Sequence, residues 1–331
     1  MFQHRIISLA STLLFLCLAS GCGDSKETST KDKLQIAVIP KGTTHVFWKS
    51  IHAGAVKASI ELNVDVIWQG PQKEDDRNQQ IQVVQNFASR GVDAIVLAPL
   101  DAKALIRPVE SARKRGIKTI IIDSALEGEA FDSFVATDNF AGGKLCAKRL
   151  ADISGEKPKV VMLRYMEGSA STDARERGFL EGIAEYAPGA ELLSTNQYTG
   201  TTVEKALQAA QNLLNRFEKI DAIFCPNESS AVGMLRALEI SGKAGKIKFV
   251  GFDYSDKLEA GMRAGFIDGL ALQSPFNMGY LGVKSAVESL QGKKIKPRID
   301  TGVILATPQN LDSPKIKDLV SIDLDKWLKV K

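Results

Sequence analysis

The sequence predicts an α/β protein organised as two doubly wound lobes, and three observations carry that expectation. Short apolar runs alternate with segments of helical spacing along most of the chain. Several of the runs, Asp93-Ala94-Ile95-Val96-Leu97 among them, are continuous, as in parallel strands covered on both faces. The alternation completes one set near Thr137–Asp138 and then begins again, so two sheets are implied rather than one.

Each element follows from local pattern. Leu34–Ile39 is an apolar strand that breaks at Pro40 and Gly42. Phe47, Ile51, Ala55, Ala58 and Leu62 then mark a helix from Val46 to Leu62. Val64–Trp68 reads as a strand and Gln72–Ser89 as a helix with a polar start, followed by a strand at 93–97, a helix at 102–115 and a strand at Thr119–Ile122. After Ser133–Ala136, Asp138 has the type and place of a helix cap. The second set reads as strands at 159–163, 191–195, 222–225, 247–252 and 269–272. Helices start near Ala170, Val203, Ser229 and Ser255. Each crossover has the length of a right-handed βαβ unit. Met278–Leu290 is a further helix, Gly302–Leu305 a last strand, and residues 311–331 a surface-packed extension.

Composition narrows the function. The 331 residues are 44% hydrophobic and 25% charged, an ordinary globular balance, and a net charge of +4 without a dense Lys/Arg block argues against nucleic-acid binding. With three histidines, one of them His4, a His-rich metal site has little material, and no cofactor or metal is expected. At the N-terminus, His4 and Arg5 precede an apolar run from Ile6 to Leu18, too short to span a bilayer. Ala19-Ser20-Gly21-Cys22 resembles a bacterial lipoprotein cleavage box. That implies a signal peptide at 1–21, a lipid on Cys22 and a flexible tether over 22–33; ordinary secretion with cleavage nearby is the alternative. Cys146 and Cys225 sit in apolar settings and read as buried thiols.

Polar residues stand directly after buried strands: Lys41, Asp123, Asn227, Asp253 and Gln273. In an open parallel sheet these positions face the ligand crevice. One such residue is a turn former, but five are hard to explain by turn chemistry. Asp, Asn, Gln and Arg hold vicinal hydroxyls through paired hydrogen bonds, and Arg177 in TDARERG adds a planar donor. Phe47 and Trp48 offer apolar faces for the C–H side of a sugar ring. Phe47 equally suits the core, because it lies on the apolar face of its helix.

The segments HVFWKSIHAG, RGVDAIVLAP, IIID, TDNFAGG, ARERGF, FCPNESSAVGMLRAL, VGFD and ALQSP, in this order, resemble the type I periplasmic sugar-binding proteins of the ribose and galactose group. The resemblance covers essentially everything after the tether. It implies two Rossmann-like lobes joined by a three-segment hinge near 137–138, 273–274 and 301–302. Residues 34–137 plus 274–301 would form one lobe, and 138–273 plus 302–331 the other with its extension. Carried over, the ligand contacts are Lys41, His45, Phe47, Trp48, Asp123 and Ser124 from the first lobe. The second supplies Arg177, Asn227, Asp253, Gln273 and a site near Thr201. Lys41, His45 and Ser124 depart from the ribose pattern, as does the lack of an aromatic near Thr201, so the ligand is not expected to be ribose itself.

The resemblance implies a monomer that captures a small sugar or polyol and delivers it to the permease subunits of an ABC importer. The membrane would be met through the lipid anchor alone. Lys41, Ser124 and Pro226 also resemble autoinducer-2 binders of the same fold, and a chemoreceptor-linked sensor is a further alternative. The charges of Lys41 and Arg177 balance those of Asp123 and Asp253, which favours a neutral ligand. An enzyme is less well supported. There is no Gly-rich fingerprint after the first strand and no assembled Ser-His-Asp or metal-spaced cluster, and only a carboxylate pair such as Asp123 and Asp253 would suit glycoside chemistry.

Overall fold

The computed structural model describes residues 33–329; the expected signal peptide, the expected lipid site Cys22 and all of the expected tether but Lys33 lie outside the described residues. The first half runs β1 (Gln35–Ile39), α1 (Val46–Leu62), β2 (Asp65–Trp68), α2 (Arg77–Arg90), β3 (Ala94–Leu97), α3 (Ile106–Lys114), β4 (Lys118–Ile122) and β5 (Ser133–Ala136). After α4 (Asn139–Ser154), the second runs β6 (Lys159–Arg164), α5 (Ala170–Tyr186), β7 (Glu191–Tyr198), α6 (Val203–Arg216), β8 (Ala222–Phe224), α7 (Glu228–Ile240), β9 (Lys248–Phe252), α8 (Asp256–Arg263) and β10 (Gly269–Leu272). The chain closes with α9 (Pro275–Leu290), β11 (Arg298–Asp300), β12 (Ile304–Ala306), α10 (Pro314–Val320) and α11 (Leu324–Leu328).

The strands form two six-stranded sheets with the same order, β11-β5-β4-β3-β1-β2 and β12-β10-β9-β8-β6-β7. All pairings are parallel except that of β12 with β10. Each sheet is covered on both faces. Ile36, Val96 and Ile120 face one cluster of the first sheet, while Ile39, Leu97 and Ile121 face the other. The continuous apolar strands in the sequence have this two-sided burial as their cause.

The chain passes between the sheets three times: from β5 to α4, from β10 to α9, and from β11 to β12. At the first two passages the crossing helix docks closely on the first helix of the other half, and glycine makes the approach possible. A Cβ on Gly54 of α1 would run into the carbonyl of Phe276 in α9, and one on Gly143 of α4 into the carbonyl of Arg175 in α5.

Three local readings need correction. The helix expected from Gln72 begins at Arg77, because Asp76 accepts a hydrogen bond from the Gln79 amide (2.8 Å) and caps it there. Residues 71–76 are therefore loop. The strand β11 carried no apolar run and was not expected. The C-terminal extension, expected to accompany the second half, divides: Ile316 of α10 is buried in the core of the second sheet, while Trp327 of α11 packs near Phe276 at the start of α9, with ring centroids 6.1 Å apart.

Candidate ligand-binding cleft

Two aspartates at equivalent strand ends anchor the site. Asp123 follows β4 and Asp253 follows β9, the third strand of each sheet order. Both have positive φ, 61° and 71°, a conformation that Asp tolerates better than most residues. Each is held there by its own amide, which donates to the neighbouring strand: Asp123 to Val135 O (3.0 Å) and Asp253 to Ala271 O (2.9 Å). Strained backbone of this kind persists where surrounding bonds over-determine it. The side chains are 3% and 5% exposed as residues, so each carboxylate needs partners.

The partners differ. Lys41 Nζ lies 3.1 Å from Asp123 Oδ2 and also donates to Ser171 Oγ (3.0 Å) and Ser169 Oγ (3.3 Å) in the second half. Arg175 Nη1 lies 3.8 Å from Asp253 Oδ2. Its guanidinium sits 4.0 Å over the Phe252 ring, Nε donates to Asn139 Oδ1 (2.8 Å) and Nη1 to Pro226 O (2.9 Å). Asn139, the first residue of α4, also donates to the Asp123 carbonyl (3.4 Å) and so links the two ends. Asp253 additionally accepts from the Glu228 amide (3.0 Å) and from Gln273 Nε2 (2.6 Å). Burial raises the Asp253 carboxyl above its ordinary pKa, against the opposing effect of Arg175 and these donors. Because Gln273 must turn its NH₂ toward Asp253, its Oε1 is left as a buried acceptor without a protein partner.

A second polar cluster lies on the first-half wall. Glu74, from the loop before α2, accepts from Trp48 Nε1 (2.8 Å), contacts His45 Nδ1 (2.7 Å) and accepts from Tyr165 Oη of the second half (2.7 Å). Burial opposes charge on His45, but the hydrogen bond and charge of Glu74, with Glu228 and Asp253 beyond, outweigh it and raise its pKa to about 9. Burial likewise opposes charge on Glu74, and His45, Tyr165 and Trp48 together hold its carboxyl below the ordinary value. Glu228 is raised to about 7 by burial, partly countered by His45, and accepts the Phe47 amide (3.3 Å). Phe47 and Trp48 meet edge to face at 5.1 Å.

These groups line a small, narrow polar cavity at the strand ends. Its lining contains Lys41, His45, Phe47, Trp48, Asp123, Asn227, Asp253 and Gln273, which the sequence reading proposed. Asn227 also caps α7, accepting from the Ser230 amide (3.3 Å) and hydroxyl (2.7 Å). Three proposed positions fall elsewhere. Arg177 is exposed and borders a separate depression with Asp101 and Asp173; two residues along a helix is about 200°, so it faces away from Arg175. Ser124 is buried behind the wall, where its Oγ accepts from the Ser171 amide (3.1 Å). Thr201 is buried outside the lining.

The residues missed are Arg175, Glu74, Tyr165, Ser171, Thr172 and Glu228. A signal for Arg175 existed: with Phe179 and Ile183 it forms the i, i+4, i+8 stripe of the buried face, which Arg177 does not join. Among the described residues no group of His, Cys, Asp or Glu is placed to hold a metal ion, and Cys146 and Cys225 are buried free thiols.

Two parallel-sheet halves, crossed three times and facing each other over a small polar cavity at their strand ends, define a two-lobed ligand-binding protein. The match of residues 36–294 to the periplasmic binding protein domain shows that the chain belongs to that family. It is 29% identical to the ribose import binding protein of Bacillus subtilis over 304 residues, covering 91% of this chain and 97% of that one. It is also 29% identical to the D-allose-binding periplasmic protein of Escherichia coli, covering 82% and 89%. Among solved structures, a carbohydrate transporter solute-binding protein from Agrobacterium radiobacter in complex with D-arabinose superposes with a TM-score of 0.85 at 34% identity, covering 88% of this chain and all of that one. One from Agrobacterium vitis with bound D-fucose gives 0.83 at 33%, covering 86% and 99%.

Proposed function

We propose that this protein captures a neutral monosaccharide between its lobes and delivers it in the closed state to an ABC importer. The observation that carries the reading is the polar inventory of the cavity. Lys41 with Asp123, Arg175 with Asp253 and His45 with Glu74 are paired charges, so the site presents donors and acceptors with little net charge. Gln273 Oε1 is a buried acceptor that a ligand hydroxyl would satisfy, and Phe47 and Trp48 supply the apolar ring faces. The relatives named for ribose and allose, and the similar structures holding D-arabinose and D-fucose, support the same ligand class and the transport role.

Hydrogen bonds run directly from lobe to lobe, from Lys41 to Ser171, from Tyr165 to Glu74 and from the Phe47 amide to Glu228, which is the arrangement of a closed cleft. The three passages between the sheets serve as the hinge, with the lobes divided near 137–138, 273–274 and 301–302. The protein acts as a monomer outside the inner membrane, held there by lipid on Cys22; the sequence around that cysteine supports this part. Mass spectrometry of the detergent-extracted protein tests the lipid directly, and an unmodified N-terminus at another residue would refute it.

A thermal-shift panel of pentoses, hexoses, polyols and autoinducer-2 on the chain without residues 1–22 tests the function. A saturable rise in Tm with one or a few monosaccharides is expected. A shift with autoinducer-2 alone, or turnover of a glycoside without any shift, would contradict it.

A further inference from the structure

We infer that Glu74 is a positioning residue for ligand capture, joining the aromatic wall of the first lobe to Tyr165 of the second and so holding the cleft closed. It rests on the capture reading above but names a device that the site residues alone do not disclose.

The local sequence builds the placement. Pro71 and the Asp76 cap confine residues 72–75 to a loop at the edge of the cleft. Gln80, one turn into α2, is fully buried and pins that loop to the sheet: its Nε2 donates to Pro40 O and Ala98 O (2.9 Å each), and its Oε1 accepts the Leu100 amide (2.8 Å). Gly42 makes room, since a Cβ there would come within 2.7 Å of Glu74 Cγ. Three independent features thus deliver one carboxylate to a place where it is 7% exposed.

Its two oxygens divide the work. Oε1 is saturated within the first lobe by Trp48 Nε1 and His45 Nδ1. Oε2 accepts Tyr165 Oη from across the cleft. Tyr165 follows β6, the strand equivalent to β1, and is 1% exposed, so its hydroxyl loses its partner in an open cleft unless water replaces Glu74. Charged acceptors make the stronger hydrogen bonds, and this one forms only when the lobes meet. The same carboxylate sets where His45 and Trp48 stand. Closure and the shape of the ligand wall are therefore coupled through one residue.

Tyr165→Phe removes the cross-cleft bond and leaves Glu74, His45 and Trp48 in place. With a sugar that the thermal-shift panel shows to bind the wild type, stopped-flow fluorescence should show dissociation about tenfold faster, with the association rate changed less than twofold. Glu74→Gln should weaken binding further. Without any sugar, NMR titration of His45, which also faces Glu228 and Asp253, should show its pKa falling by more than about one unit in that variant. Dissociation unchanged within twofold in Tyr165→Phe, or an unmoved His45 titration in Glu74→Gln, overturns the inference. If no sugar binds the wild type, the capture reading fails by itself, and the His45 titration still decides whether Glu74 organises the wall.

Discussion

Asp123 and Asp253 occupy the same place in two sheets of the same strand order, with the same backbone strain and the same amide tether to the next strand. Their surroundings differ in origin. Every group that fixes Arg175 and Asp253 belongs to the second lobe: Asn139 of α4, Pro226, Phe252, Gln273 and the Glu228 amide. The first-lobe wall is completed from outside. Lys41 reaches Ser169 and Ser171, and Glu74 receives Tyr165, all across the cleft. One wall is thus complete within its own lobe, and the other is completed by groups from across the cleft, which on the proposed closure would join it only when the lobes meet. Pre-organised groups carry affinity at low ordering cost, whereas groups assembled on closure discriminate among ligands.

The largest effect expected from this asymmetry is in the second-lobe wall. Asp253→Ala leaves Arg175 buried without its carboxylate and strips an acceptor from Gln273 and the Glu228 amide, a loss of roughly 3–5 kcal/mol. Calorimetry should show sugar affinity reduced more than about 100-fold; an unchanged affinity would remove Asp253 from the site.

The next test is pH, to which the two walls should respond differently. His45 has its folded pKa raised from 6.5 to about 9, so its contribution to stability is complete below 6.5 and is lost as pH rises to 9. The loss is on the order of 3 kcal/mol. Glu228, raised from 4.5 to about 7, also lowers stability with rising pH, but in the window from 4.5 to 7. Denaturation of the ligand-free protein at a series of pH values should therefore show a fall between 7 and 9 that His45→Gln abolishes. Persistence of that fall in the variant would refute the His45–Glu74 pairing.

Arg175→Lys keeps the charge but loses the planar fork to Asn139 and Pro226 and the stack on Phe252. It should weaken sugar binding by about 2 kcal/mol. Lys41→Ser should cost less in affinity, about 1 kcal/mol, but should re-rank the sugars of a panel; an identical ranking would show that Lys41 does not read the ligand. The smallest effect is expected at Arg177→Ala, within about 0.5 kcal/mol of wild type as for an exposed side chain. A large loss there would return Arg177 to the ligand site, although it lies outside the cavity lining.

Much of the fold was legible because its signals are local. Continuous apolar strands such as Asp93–Leu97, the α1 stripe from Phe47 to Leu62 and the cap at Asp138 each depend on neighbouring residues alone. The strand-end residues were legible for the same reason, since a polar group after a buried strand has few other places to go. Glu74 was not, because KEDDRNQQ looks like a polar helix start until Asp76 is seen to cap α2. Arg175 was displaced by two positions because ARERG offers two arginines, and only the helix face separates them. The packing of α10 on the second sheet and of α11 near the start of α9 has no periodicity to announce it; their places follow from tertiary contacts of Ile316 and Trp327.

The central claim is that a neutral sugar is held by the second-lobe wall around Asp253 and Arg175. Isothermal titration of the wild type, Asp253→Ala and Arg177→Ala with D-arabinose, D-ribose, D-allose and D-fucose tests it most directly. The expected result is one-to-one binding of at least one sugar to the wild type and to Arg177→Ala, with binding to Asp253→Ala reduced more than about 100-fold. Equal affinity in all three proteins, or binding lost in Arg177→Ala and kept in Asp253→Ala, would contradict it.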